Sequence, residues 1–178
     1  VKDIRVVVGF KADEIRQAVD SRGVTWVLNP DYEKGMLSSI LAGAKSLESN
    51  VEAFFLLPAD MPLVRPSTIL ELMECYGKNT PKIVYPRFGG KRGHPPLIST
   101  SCLDEGVSPD HPGGLRAYLK KYETEALDVD VADRGVLMDC DTPEDYLKIK
   151  EHSVRGSIPA KAECEVLAER FGAPEKVM

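Results

Sequence analysis

Positive charge is in short supply in this chain. Its 23 Lys and Arg stand against 28 Asp and Glu, a net charge of -5, so there is no basic excess to neutralise a nucleic-acid backbone or coat an anionic membrane. No apolar run approaches the ~20 residues needed to span a bilayer, and the opening Val1-Lys2-Asp3-Ile4 lacks the long apolar core of a signal peptide. The four cysteines, Cys75, Cys102, Cys140 and Cys164, stand singly with no CxxC pair to suggest zinc or a redox centre. They are expected to be reduced thiols in the cytoplasm. Internal repeats and low-complexity tracts are also missing. What is present is 178 residues with 43% hydrophobic and 29% charged side chains, enough for one ordinary globular domain, or a domain and a fragment of another, with a small-molecule partner expected.

Hydrophobic patterning supplies the organisation. Ile4-Arg5-Val6-Val7-Val8-Gly9 is a β-branched run closed by glycine, and Ile15, Ala18 and Val19 follow at helical spacing before Arg22-Gly23. Residues 25–28 read as a second strand ending at Asn29-Pro30-Asp31, and residues 36–46 as a helix. Residues 53–57 are apolar on both faces, which predicts a central strand covered by helices on both sides. Ile69, Leu72, Met73 and Tyr76 lie at i, i+3, i+4 and i+7 with Gly77 as a stop, and residues 82–85 form the next strand. Such alternation implies an α/β fold: a three-layer, mostly parallel, Rossmann-like sheet flanked by helices, with ligands bound outside the carboxyl ends of its strands. Residues 86–114 are rich in Gly and Pro, and too long for an ordinary connector. Beyond them come a short helix at 114–121 and a strand near 136–138. Thr142 then reads as an N-cap with Pro143 at the first helical position and Glu144 and Asp145 at the positive end of the helix dipole. Residues 153–159 read as a linker and 160–171 as a further helix.

Several residues are placed to do chemistry. Asp60 follows a buried strand within the Pro-braced loop Pro58-Ala59-Asp60-Met61-Pro62, a rigid mount suited to a magnesium ion, which takes one or two carboxylates and completes its octahedron with water and phosphate oxygens. Equally, such a carboxylate caps the next helix or its turn. Asp139 and Asp141 form a second carboxylate cluster after a strand; the competing reading is an ordinary helix start. Gly89-Gly90-Lys91-Arg92-Gly93-His94-Pro95-Pro96 combines glycines, two cations and a histidine, fit either to receive an anion or to be a solvated hairpin tip. Gly35, Met36, Ser38 and Ser39 begin a helix, where anion or base recognition competes with plain capping. Arg116 beside another helix start meets either a phosphate or a surface carboxylate.

Taken in order, these pieces resemble the MobA/MocA-like molybdenum-cofactor nucleotidyltransferases of the nucleotide-diphospho-sugar transferase superfamily. The likeness runs from about Val1 to about Tyr146, through VVVG at 6–9, NPDYEKGMLSSI at 29–40, FFLLPADMPLV at 54–64, GGKRGHPPLI at 89–98, GGLRAYL at 113–119 and DCDTPEDY at 139–146. The resemblance implies that Asp60 and Asp139 bind the catalytic Mg2+ with support from Asp141. It implies that Gly35, Met36, Ser38 and Ser39 approach the base of CTP or GTP, and that Gly93, His94 and Pro95 face a phosphorylated acceptor such as molybdopterin. A phosphate of that acceptor would attack the α-phosphorus of the triphosphate and expel pyrophosphate.

The family's opening LAAGxSxRMG segment, with its phosphate loop and first strand, has no match here, so this chain alone is expected to turn over poorly. Residues 163–178 resemble the opening helix of an HD-type metal phosphohydrolase. The expected organisation is therefore a MobA-like domain over 1–152 and, over 153–178, a linker and the first helix of a covalently linked HD-like domain. Two alternatives accompany the leading one: a sugar-phosphate nucleotidyltransferase, and a non-catalytic ligand-sensing or interaction module on the same scaffold.

Overall fold

The computed structural model describes residues 3–18, 23–103 and 106–152. The predictions for Val19, Arg22, the linker at 153–159, the helix at 160–171 and the HD-like tail lie outside the described residues. The chain divides into two units, one built from residues up to Phe54 and Ile98–Glu125, the other from Phe55–Leu97 and the chain from Ala126 onward.

In the first unit, strand β1 (Arg5–Val8) leads through helix α1 (Ala12–Ala18) to strand β2 (Thr25–Leu28). The two strands are parallel, with Val6 opposite Trp26 and Val8 opposite Leu28, as a strand-helix-strand crossover requires. Gly9 ends β1 because Tyr32 lies against it; a Cβ there would overlap the Tyr32 side chain. Ile15 is exposed despite its helical spacing. Helix α2 (Met36–Lys45) turns Leu37, Ile40 and Leu41 inward, and packs on β1 and on the short helix α4 (Gly114–Leu119). Tyr118 and Tyr122 complete this core, both donating their hydroxyls to the carbonyl of the buried Cys102. The main chain passes between the units at the strands β3 (Ala53–Phe55) and β6 (Leu97–Ser99). The prediction for β3 needs correcting, because its three residues are only half-buried and, among the described residues, it ends the strand order instead of lying within it.

In the second unit, helix α3 (Pro66–Asn79) begins with proline at its first position and buries Thr68 and Leu72 completely. Full burial of a leucine side chain contributes about 1.5–3 kcal/mol. Gly77 does not stop this helix. It runs on to Asn79 and ends at Thr80, which takes the left-handed conformation and returns its amide to the Tyr76 carbonyl. Strand β4 (Ile83–Phe88) holds the fully buried Ile83 and Val84, and pairs in parallel with β7 (Ala126–Asp130) and antiparallel with the two-residue β5 (Lys91–Arg92). Gly89 and Gly90 both have positive φ, which a two-residue hairpin turn of this hand needs and glycine gives without strain. Thus residues 86–114 are not irregular throughout; they hold a hairpin, β6, a single-turn helix at Thr100–Cys102 and the start of α4.

The strand expected near residues 136–138 is instead a 3-10 turn, Arg134–Leu137, capped by the Asp133 carboxylate. Thr142 and Asp145 form a reciprocal cap at the start of helix α5 (Pro143–His152): each side chain accepts the other residue's backbone N–H at 3.2 Å. No helix among the described residues is long and apolar enough to cross a membrane.

Candidate active site

In the first unit, the segment that follows β2 is arranged around a residue to which the sequence pattern gives no special role. Asn29, only 2% exposed, donates its side-chain amide to Ser38 Oγ and Ser39 Oγ, each at 2.9 Å, and accepts the Asp31 amide on its Oδ1. Ser38 in turn donates to the carbonyls of Asp31 and Gly35. The two serines thus hold the loop to the helix, and Ser38 is buried. Gly35 has φ 95° and no side chain caps α2 after it, so its backbone form favours glycine and leaves the helix start open. Met36, 75% exposed, stands at that start. On α4, Arg116 is exposed and has no ion pair among the described residues.

The second unit carries the carboxylates. Asp60 sits in the turn after β3, exposed, and Asp139 and Asp141 are exposed in the extended stretch between the 3-10 turn and α5. Among the described residues none of the three makes a side-chain hydrogen bond or ion pair. Capping is therefore not what Asp60 does in this structure, whereas Asp145 at the start of α5 is fully engaged. Lys148 donates to it at 2.8 Å and Thr142 adds a second bond; the Lys148 hydrogen bond, then that from Thr142, hold its carboxyl below the usual range. No group of three or more His, Cys, Asp or Glu side chains gathers among the described residues. Carboxylate oxygens with no partner among the described residues still fit a hard divalent ion that takes only one or two carboxylates from a protein.

The glycine-rich hairpin behaves differently from an anion receiver. Arg92 Nε donates to Asp128 Oδ1 at 2.6 Å and its guanidinium stacks on the Tyr85 ring, while Arg87 forms a bidentate pair with Asp130 at 2.7 Å. Parallel register sets Arg87 opposite Asp130, and hydrogen bonding to that carboxylate raises the Arg87 pKa and lowers that of Asp130. The main-chain amides beyond it are spent as well: Gly93 donates to the Pro86 carbonyl and His94 to the Val136 carbonyl, both at 2.8 Å. Gly93 and Pro95 are buried, and the His94–Pro95 bond is cis. The imidazole of His94 is half-buried with Nδ1 3.5 Å from the Leu56 carbonyl, which leaves Nε2 as the polar atom uncommitted among the described residues.

Asp133, 3% exposed, is a further buried carboxylate that no sequence motif singles out; it takes hydrogen bonds from the Arg65 and Gly135 amides and the Thr68 hydroxyl. An Asp two residues before a Gly is a local turn signal; its partners near residue 65 have no such signal.

Comparison with known proteins gives the family. The family model of the MobA-like NTP transferase domain matches residues 1–127. The molybdenum cofactor cytidylyltransferase of Escherichia coli (strain K12) is 27% identical over 149 residues, covering 83% of this chain and 74% of that protein. Among solved structures, the Rv0371c homolog from Mycobacterium sp. strain JC1 shares the fold at TM-score 0.68 and 24% identity, over 86% of this chain and 76% of that one. The Rv0371c complex with manganese from Mycobacterium tuberculosis H37Rv does so at TM-score 0.61 and 22% identity, over 84% and 78%. With its family model spanning well over half of the sequence, the chain belongs to the MobA-like NTP transferase domain family and is a nucleotidyltransferase.

Proposed function

We propose that this enzyme transfers a nucleoside monophosphate from CTP or GTP, with CTP favoured, to a phosphorylated acceptor of the molybdopterin type, releasing pyrophosphate in the cytoplasm. The observation that carries this reading is the 27% identity, over 83% of the chain, to a molybdenum cofactor cytidylyltransferase. A phosphate oxygen of the acceptor attacks the α-phosphorus, a new P–O bond forms, and the bond to the β-phosphate oxygen breaks in line as pyrophosphate leaves.

Asp60 and Asp139, with Asp141 beside it, hold the divalent ion, taken to be Mg2+. Their unengaged carboxylates support that role, as does the manganese bound by a protein of the same fold. Such an ion neutralises phosphate charge and orients the reacting groups. The open helix start at Gly35 and Met36 takes the base, on a loop that Asn29, Ser38 and Ser39 keep in shape. Arg116, without an ion pair among the described residues, contributes a cation to the phosphates, and Gly93, His94 and Pro95 line the acceptor side with the imidazole as their polar group. Positioning of this kind supplies most of the rate in phosphoryl chemistry.

The test is calorimetric titration of the full-length protein with CTP and with GTP in Mg2+, followed by a pyrophosphate-release assay with molybdopterin. Binding of CTP and release of one pyrophosphate per nucleotidylated acceptor are expected. A folded protein that binds neither nucleotide would overturn the reading.

A further inference from the structure

The 3-10 turn Arg134–Leu137, with the Asp133 carboxylate that caps it, touches both loops that the proposed chemistry uses. On one side lies the loop that carries Asp60. The Asp133 carboxylate takes the Arg65 amide at 2.8 Å and the Thr68 hydroxyl at 2.7 Å on Oδ2, and the Gly135 amide at 2.9 Å on Oδ1. The Arg65 guanidinium stands 3.9 Å away. Gly135 lies so close beneath the Leu63 carbonyl that a Cβ would overlap it. On the other side, the Val136 carbonyl receives the His94 amide at 2.8 Å, and a Cβ on Gly93 would overlap that same carbonyl. Val136 itself is fully buried.

A carboxylate in such a place is expensive to bury, and it is kept only where donors satisfy it. Asp133 is satisfied by three donors, two of them from chain 65 and 68 residues away. Arg65 follows Asp60 by one short loop, and Asp139 follows the 3-10 turn directly. We propose that Asp133 is a positioning residue for nucleotidyl transfer: by tying the Arg65–Thr68 segment to the Arg134–Leu137 turn it fixes where the Asp60 and Asp139 loops lie within their unit, and thereby sets metal affinity without touching metal or substrate. This rests on the reading of Asp60 and Asp139 given above. Magnesium demands near-ideal octahedral geometry, so a shift of about 1 Å in either loop is enough to weaken the site strongly.

The experiment uses the full-length protein and Mn2+ alone, followed by the electron paramagnetic resonance signal of the free ion. Three variants are compared with wild type: Asp133→Asn, which removes one acceptor oxygen; Thr68→Val, which removes a single hydrogen bond at constant shape; and Thr68→Ser, which restores the hydroxyl. Thermal melts confirm that each is folded at the assay temperature. We expect Mn2+ to bind about tenfold more weakly in Asp133→Asn and Thr68→Val, with Thr68→Ser close to wild type. Unchanged Mn2+ affinity in folded Thr68→Val, or no Mn2+ binding by wild type, overturns the inference. If wild type binds Mn2+ and Thr68→Val weakens it while no nucleotide is transferred, Asp133 still sets metal affinity and the proposed function falls. If transfer proceeds and Mn2+ affinity ignores Thr68, the reverse holds.

Discussion

Asn29 donates one amide hydrogen to Ser38 Oγ and the other to Ser39 Oγ, both at 2.9 Å, and so joins the end of β2 to the first turn of α2. The pair with Ser38 is buried, where a lost partner leaves a polar group unsatisfied at a cost of about 1–3 kcal/mol. Asn29→Ala should therefore lower the urea midpoint by that much without changing the slope of the transition. Ser39→Ala, with Ser38 still in place, should cost less than half as much.

Gly93→Ala tests the contact between the acceptor-side loop and the 3-10 turn. The new Cβ meets the Val136 carbonyl, a main-chain atom that cannot swing aside. Overpacking of this kind costs about 1–3 kcal/mol, and a lower melting temperature measured by circular dichroism is the expected result. Gly77→Ala, on an open helix surface with nothing near the added carbon, should instead stabilise by about 0.4–1 kcal/mol.

Leu72 and Met73 are neighbours on α3 with opposite fates. Leu72 is fully buried and Met73 is 41% exposed. Leu72→Ala should destabilise by about 2–5 kcal/mol and Met73→Ala by no more than about 1 kcal/mol in equilibrium denaturation. The periodicity that announces this helix counts both as core, because spacing reports which residues share a broad face and not how deep each one sits.

Asp145 gives the pH prediction. Its folded-state carboxyl titrates below the ordinary range, first through the Lys148 hydrogen bond and then through Thr142. A depressed folded pKa means that its contribution is complete above the unfolded carboxylate pKa and is lost as pH falls through the depressed value. Helix α5 should fray in acid in wild type, while Asp145→Asn should show a weaker base-line helix and a flatter acid limb. Carboxyl titration followed by NMR should move upward in Lys148→Gln.

Asp60→Ala should leave stability within about 0.5 kcal/mol of wild type, since its carboxylate engages no partner among the described residues. Metal-dependent nucleotide binding should nevertheless be lost, as read by calorimetry. A loss of stability near 1 kcal/mol with binding intact would return Asp60 to a capping role.

Much of the fold can be read from local pattern. Thr142-Pro143-Glu144-Asp145 announces its helix because the cap is made by residues three apart, and β1 and β2 are visible as β-branched runs. Strand β7 is harder to see, since Asp128 and Asp130 interrupt its apolar residues; they lie there because β4 and β5 bring Arg87 and Arg92 to meet them. The turn at 134–137 looks like a strand because Val136, Leu137 and Met138 are consecutive and apolar. What bends it is the Asp133 cap and the close approach of Gly135 to Leu63, and Leu63 is far away in the sequence. The candidate site follows the same division. Asp60 lies in the turn beyond β3, and Asp139 follows a 3-10 turn and not the strand its apolar neighbours suggest, while Asn29 and Asp133 owe their importance to partners that only folding supplies.

The contacts that fix the Asp60 loop and the His94 loop against the 3-10 turn end on the Leu63 carbonyl, the Val136 carbonyl and the amides of Arg65, Gly135 and His94. Nearly all of these atoms are common to every amino acid. The frame is thus indifferent to which side chains the loops display, apart from the two glycines, the one buried carboxylate and the Thr68 hydroxyl that hold it. Substitutions at His94 or at the exposed positions around Asp60 can alter what is recognised while the scaffold stays as it is, so that a change of substrate requires no change of architecture.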